Sequence, residues 1–291
     1  MDEGASMMRV LVLGATGMAG HVISIYLQEQ GHKVTALTRK SFPYCENIIA
    51  DVANLPALSE VIINGKFDAV INCVGILNHY AEENKHQAVF LNSYLPHYLS
   101  YVTRNSKTRV IHMSTDCVFS GKIGNYSEDS FRDGETFYDR SKALGEIEND
   151  KDLTFRNSII GPDINEEGIG LFNWFMKQDK EINGFTKAIW TGVTTITLAK
   201  AMEKALDEKL TGLYNLVNNQ TISKFELLNL FNKYMKDSAI NILPNDTVKV
   251  DKSLINNRND FSFVVPSYEE MVIEMKEWVL DHKSLYTHYF R

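Results

Sequence analysis

A tyrosine and a lysine stand four residues apart in Tyr138-Asp-Arg-Ser-Lys142. On a helix that spacing sets both side chains on one face, within reach of one bound ligand. A free phenol has a pKa of about 10 and is a poor proton shuttle at neutral pH. A nearby ammonium favours the phenolate. Lowering the pKa by two or three units takes roughly 3–4 kcal/mol, which one close cation plus a cofactor's charge would supply. The pair reads as a proton donor with its electrostatic partner. Alone, the same spacing also describes a solvated pair on a helix surface.

It does not stand alone. Val110-Ile-His-Met-Ser-Thr-Asp-Cys-Val-Phe-Ser-Gly121 precedes it, an apolar strand that delivers Ser114 and Thr115 to a sheet's carboxyl edge. There a hydroxyl hydrogen-bonds a substrate carbonyl and orients the tyrosine. Ser114, Asp116 and Arg156 are candidate substrate contacts on this side of the site.

Upstream, Gly14-Ala-Thr-Gly17-Met-Ala-Gly20 follows the first apolar run and opens a helix. The first glycine permits a tight turn and the second lets backbone N–H groups approach a pyrophosphate. The third lets helix and strand pack closely, and the helix N-terminus adds positive potential. Gly14, Thr16, Gly17 and Met18 are therefore candidate contacts of a dinucleotide. An NAD site usually has Asp or Glu at the end of the second strand to accept from the ribose 2′-hydroxyl. Here Thr38-Arg39-Lys40 stands there. Arg39 and Lys40 suit a 2′-phosphate through charge-assisted hydrogen bonds, so NADPH is favoured over NADH. Asp51 and Val52, ending the third strand, are placed to flank the adenine.

The elements that must position these groups follow from patterning. Arg9–Leu13, Val34–Thr38, Asn47–Asp51, Phe67–Val74 and Thr108–Ser114 read as strands, with helices over Met18–Gln30 and Gln87–Asn105. Such alternation predicts an α/β fold, a doubly wound Rossmann-type parallel sheet with helices on both faces. After Gly161 the alternation loosens. Helices are expected at Thr197–Lys209, Ser223–Met235 and Ser267–Asp281, a strand at Leu213–Val217, and a polar Asn-rich stretch over Asn241–Asp260. The expected division is a nucleotide-binding domain over 1–161, with about 186–217 returning to it, and a smaller substrate-binding lobe over 162–291. In that lobe Arg258, Lys177 and Lys187 are candidate phosphate partners, and Trp190 or Phe175 candidate stacking surfaces.

A chain of 291 residues buries enough surface to fold without disulfides or metal. Its composition, 44% apolar and 23% charged, is that of a globular enzyme and excludes a disordered chain. A net charge of −7 with no Lys/Arg-rich run disfavours nucleic acid and anionic membranes as partners. Cys45, Cys73 and Cys117 are odd in number and far apart, which suits reduced thiols in a cytoplasm and offers no metal-ligand spacing. The start, Met1-Asp-Glu-Gly-Ala-Ser6, is acidic where a signal peptide would be basic. Met7-Met8 before the first strand marks those leading residues as dispensable. A homodimer paired through an apolar patch on the helix carrying Tyr138, or its neighbour, is as open on sequence as intrachain packing of that patch.

Together these residues resemble the extended short-chain dehydrogenase/reductases, and within them the dTDP-4-dehydrorhamnose reductase (RmlD-like) group. The resemblance covers nearly the whole chain and is sharpest at Gly14–Gly20, Ser114–Gly121 and Tyr138–Glu146. It implies that Thr115, Tyr138 and Lys142 form the catalytic triad. It further implies that Cys73, Val74 and Gly75 line the cofactor and that Asn92 supports the site from its helix. It also implies reduction by NADPH of the 4-keto group of a nucleotide-diphosphate deoxysugar. Cys117 stands where such reductases commonly have tyrosine, Asn72-Cys-Val-Gly-Ile76 replaces Asn-Cys-Ala-Ala-Tyr, and the residues after Arg156 lack a tryptophan. These departures leave the sugar and its base open. An epimerase on the same scaffold remains an alternative. A 4,6-dehydratase is disfavoured because Cys117 replaces the second carboxylate of Thr-Asp-Glu. A non-catalytic NADP-binding regulatory subunit, like that of methionine adenosyltransferase, is the rival from outside enzymes.

Overall fold

Strand β1 (Arg9–Leu13) is buried at every residue but its first, as a continuous apolar run inside a two-faced sheet demands. The computed structural model describes residues 6–291; of the leading residues 1–6 read above as dispensable, the first five lie outside the described residues. From β1 the chain turns at Gly14, φ +81°, into α1 (Met18–Glu29). It returns as β2 (Lys33–Thr38), and β3 (Glu46–Ile49) pairs beyond it. Asn54 caps α2 (Leu55–Gly65) by accepting from the Ala57 N–H, and the chain then crosses to β4 (Ala69–Asn72) on the other side of β1. The chain thus reverses its winding at β1, which opens a crevice outside the carboxyl ends of β1 and β4.

The helical stretch that follows is α3 (Asn78–Glu83), α4 (Lys85–Ala88), a π-helical turn (Val89–Tyr94) and α5 (Leu95–Thr103). After β5 (Arg109–Met113) come α6 (Phe137–Leu144) and β6 (Leu153–Arg156). The remainder is β7 (Ser158–Ile160), α7 (Leu171–Met176), β8 (Glu181–Trp190), β9 (Gly192–Thr194) and α8 (Thr195–Asp207). It continues with β10 (Gly212–Asn215), β11 (Ile222–Ser223), α9 (Lys224–Met235), β12 (Asn241–Asp251) and α10 (Tyr268–Asp281).

The large sheet runs β10-β6-β5-β4-β1-β2-β3, and every neighbouring pair is parallel. Alternate side chains face opposite layers. Val10, Val12 and Ile111 pack in the cluster that includes Val22, Ala199 and Met202 of α1 and α8. Leu11, Leu13 and Val110 pack with Leu58, Leu95 and Leu99 of α2 and α5. The late segments build a second sheet, β11-β8-β12, while α8 lies along α1 and β10 joins β6. Thr186–Trp190 belongs to the small sheet. Within the Asn-rich stretch, Asn241–Asp251 is an eleven-residue strand parallel to β8, an element the sequence patterning did not assign. As an edge strand exposed along most of its length, it lacks the apolar alternation that marks a half-buried one.

His21 of α1 is 0% exposed, and burial holds its imidazole down to about 4 from 6.5. A histidine kept neutral in the fold takes up protons only on unfolding, so its contribution is complete above pH 6.5 and is lost as pH falls towards 4. Between about pH 7 and pH 5 the expected loss from this residue is ~2 kcal/mol. Buried His112, also held well below its ordinary range, acts in the same direction. Urea unfolding at the two pH values checks this, and an unmoved midpoint would contradict it.

Candidate active site

The glycine turn owes its three glycines to different contacts. A Cβ on Gly20 would stand 2.1 Å from the Gly14 carbonyl oxygen, so the close approach of helix and turn excludes any side chain. Gly14 combines φ +81° with a Cβ position 3.2 Å from the Cys73 carbonyl. Gly17 is different, because its φ is −84° and a Cβ would meet nothing nearer than 3.4 Å. The fold itself does not require glycine there. The space above it is that of a cavity of about 340 Å³, lined by Gly14, Thr16, Gly17, Arg39, Asp51, Val52, Cys73, Val74 and Gly75 among others. A bare backbone facing a cleft at a helix N-terminus is the arrangement that admits a pyrophosphate.

Arg39 lines this cavity from the end of β2, with no carboxylate beside it on that strand. Lys40 is exposed next to it, and its carbonyl accepts from the Thr38 hydroxyl at 2.6 Å, which shapes the turn. Asp51 faces the same cavity and accepts from the Ala53 N–H at 2.9 Å. Met18 sits half-buried at the start of α1, outside the lining. Sequence reasoning missed Leu37, Thr38, Ala50, Ile76, Gln87 and Leu91, which complete the wall. Gln87 and Leu91 come from α4 and the π turn, and no periodicity announces where such a widened turn points.

That π turn places Asn92 at the centre of a small network. Its side chain accepts from the Ile76 N–H at 2.9 Å and donates to the Ile76 carbonyl at 3.0 Å and to Ser141 Oγ at 3.0 Å. The strand-end loop Cys73–Ile76 is thereby tied to α6. Gly75, in the cavity wall, stands beside the lysine, since a Cβ there would lie 3.9 Å from Lys142 Nζ.

On α6, Thr136 and Asp139 form a capping box that starts the helix one turn ahead of Lys142. Tyr138 and Lys142 are each 7% exposed. Lys142 Nζ donates to the Met113 carbonyl, 2.7 Å away at the end of β5, and Thr115 follows two residues later. The Thr115 hydroxyl accepts from the Cys117 N–H at 3.1 Å and donates to Asp116 at 3.2 Å. Burial lowers the Lys142 ammonium to about 8, against the opposing pull of the Glu146 carboxylate. Burial, with Cys117 and Asp116 adding to it, pushes the Tyr138 phenol above its ordinary range, while the Thr115 hydroxyl acts the other way. The expected lowering of the phenol by Lys142 is therefore corrected. The ammonium is directed at the Met113 carbonyl, and desolvation dominates. Cys73 and Cys117 are pushed up to about 12 by burial, so neither is a thiolate nucleophile.

Behind these groups lies Glu146, whose side chain is 1% exposed. It accepts from Ser114 Oγ at 2.6 Å, from Arg156 Nε and Nη2 at 2.8 Å each, and from Arg132. Hydrogen bonds and both guanidinium charges hold its carboxyl below the usual range despite burial. Three expected substrate contacts are corrected here. Arg156 is 0% exposed and bidentate to Glu146, Ser114 is bonded to the same carboxylate, and Asp116 is buried beneath Thr115.

The lobe candidates also have structural partners. Trp190 is 4% exposed, donates from Nε1 to Ser158 at 2.8 Å and packs on Tyr268. Arg258 donates to the Thr211 and Leu213 carbonyls and pairs with Asp260. Lys177 and Lys187 pair with Glu167 and Asp246, and Phe175 is fully buried. Among the described residues no cluster of three or more His, Cys, Asp or Glu is arranged to hold a metal, and no helix is long and apolar enough to cross a membrane.

A family model described as the RmlD substrate binding domain matches residues 8–278. A spore coat polysaccharide biosynthesis protein, SpsK, of Bacillus subtilis (strain 168) is 30% identical over 142 residues, 48% of this chain and 47% of that one. A dTDP-4-dehydrorhamnose reductase of Mycobacterium tuberculosis is 29% identical over 144 residues, 47% of this chain and 44% of that one. Each match thus spans about half the length of the curated relative. In structure the chain resembles a dTDP-4-dehydrorhamnose reductase from Bacillus anthracis str. Ames solved in complex with NADP. The TM-score is 0.78 at 22% identity, over 92% of this chain and 98% of that one, a likeness of fold.

Proposed function

Because the chain belongs to the RmlD substrate binding domain family, we propose that it is an NADPH-dependent reductase of the 4-keto group of a nucleotide-activated deoxysugar. Its place would be the cytoplasm and the biosynthesis of cell-surface polysaccharide. The observation that carries this reading is that Gly75 lines the glycine-turn cleft and stands beside Lys142, a Cβ there lying 3.9 Å from Nζ. The names of the relatives, a polysaccharide biosynthesis protein and a dTDP-sugar reductase, supply the substrate class.

The cleft fits a nicotinamide dinucleotide on its own terms, because Gly17 leaves open space over a helix N-terminus that the fold alone leaves unused. Bound there, the cofactor would supply the hydride. Gly14, Thr16 and Gly17 would hold the pyrophosphate, and Arg39 with Lys40 a 2′-phosphate, the basis for choosing NADPH over NADH. Tyr138 would protonate the alkoxide oxygen that develops on the sugar. A phenol held above its ordinary range stays protonated at neutral pH and so carries the proton that the alkoxide takes up. Thr115 would donate to the same oxygen. Lys142, still a cation at neutral pH, would offset the phenolate left behind and hold a ribose hydroxyl. Residues after Gly161 would close over the sugar nucleotide.

An NADPH-oxidation assay across dTDP-, UDP- and GDP-linked 4-keto-6-deoxysugars tests this, with NADH in parallel. Cofactor consumed one for one with a reduced sugar, and faster with NADPH, is the expected result. No consumption on any of the sugars would contradict the reductase reading.

A further inference from the structure

The C-terminal segment reaches back to the glycine turn through a buried chain of hydrogen bonds. His21 and Tyr286 are both 0% exposed and Trp278 is 6% exposed. An indole Nε1 can only donate, so the Tyr286 hydroxyl accepts from Trp278 at 2.9 Å. Its own proton then goes to His21 Nε2, 2.8 Å away. That leaves the imidazole proton on Nδ1, which donates to the Gly17 carbonyl at 2.9 Å. One tautomer satisfies every member, and the alternative would leave a buried group unpaired. The Gly17 carbonyl also accepts the first helical bond, from the His21 N–H at 3.1 Å. Its orientation is thus held twice, and with it the Gly17–Met18 peptide plane where the glycine turn enters α1.

The same segment holds other points. His282 pairs with Glu29 at the far end of α1, 2.7 Å apart. The Tyr286 ring stacks on Tyr289, whose hydroxyl accepts from the Asp163 N–H at 2.9 Å and donates to Asn173 at 2.8 Å. Neither contact touches the glycine turn, so the relay through Tyr286 can be varied separately from the anchoring of the tail.

We propose that Tyr286, acting through His21, is a positioning residue for the glycine turn, so that the C-terminal segment sets the affinity of the dinucleotide cleft. The inference rests on the cleft being the NADPH site. A turn already held in its binding geometry spends none of its binding energy on being ordered, and loosening the Gly17 carbonyl removes that advantage. The reacting groups lie on α6 and just after β5 and are not members of the relay, so turnover at saturating cofactor should not follow.

Fluorescence titration with NADPH of the full chain and of Tyr286→Phe and Tyr289→Phe tests this. Tyr286→Phe is expected to raise the NADPH Kd ~5- to 10-fold, with kcat at saturating NADPH and the sugar KM within about twofold of the parent. Tyr289→Phe deletes a comparable buried hydroxyl from the same segment and should leave the NADPH Kd within about twofold. If circular dichroism shows Tyr286→Phe unfolded, Trp278→Phe, which keeps the tyrosine–histidine bond, should still raise Kd ~2- to 3-fold. An unchanged Kd in the folded variant, or an equal rise in Tyr289→Phe, would overturn the proposal. A parent chain that binds no NADPH would instead overturn the cofactor reading on which it rests.

Discussion

Tyr138→Phe is expected to reduce turnover by roughly 10²–10⁴-fold while leaving NADPH affinity nearly intact, the range that a positioned proton donor contributes. The substitution keeps the ring, which is 7% exposed and packs with Ala81 and Ala88, and removes only the hydroxyl. The phenol is pushed above its ordinary range by burial, so its proton is present throughout the neutral range. Without it the proposed alkoxide would keep Thr115 as its donor, a hydroxyl already shared with Asp116 and the Cys117 N–H. Steady-state kinetics beside a fluorescence titration separates the two effects. Near-normal turnover in the variant would remove Tyr138 from the role.

The second large effect falls on stability. Glu146→Ala is expected to cost about 3–5 kcal/mol, the penalty for breaking a buried ion pair from one side. Arg156 is 0% exposed, and its other contacts are long ones to the Ser127 and Glu128 carbonyls and Asn215. Its guanidinium would lie over the Phe119 ring with no counter-charge. Ser114 would lose its acceptor at the same time. Urea unfolding measures the loss. Combining Glu146→Ala with Arg156→Met should recover part of it, because no charge is then left buried and unpaired. A single variant as stable as the parent would show that the carboxylate holds nothing together.

What could be read from the chain beforehand follows from how local each signal is. The glycine turn, the strand β1 and the Tyr138–Lys142 pair are set by neighbours within a few residues, and the fold places each where those neighbours demand. The parallel sheet followed from strands alternating with helices. Pairings across the chain were hidden. Glu146 was visible beside the lysine, but its partners Ser114, Arg132 and Arg156 meet it only once β5, α6 and β6 are adjacent. Trp190 and Arg258 looked available for a ligand because their partners, Ser158 and Tyr268 for one and the Thr211 and Leu213 carbonyls for the other, come from other elements. The phenol–ammonium coupling was misjudged for a different reason. Helical spacing says that two side chains share a face, but it does not say that the lysine reaches a strand-end carbonyl or how dry the site is.

Hydride transfer itself gives the most direct measurement. NADPH carrying deuterium at the transferred position of the nicotinamide is incubated with the 4-keto sugar nucleotide that supports oxidation, and the product is weighed by mass spectrometry. A reductase of the proposed kind places one deuterium on the sugar for each cofactor oxidised, at the carbon that was the ketone. A sugar that changes configuration with no deuterium and no net loss of NADPH would mark an epimerase, and the account of Tyr138 as donor to a reduced ketone would be contradicted.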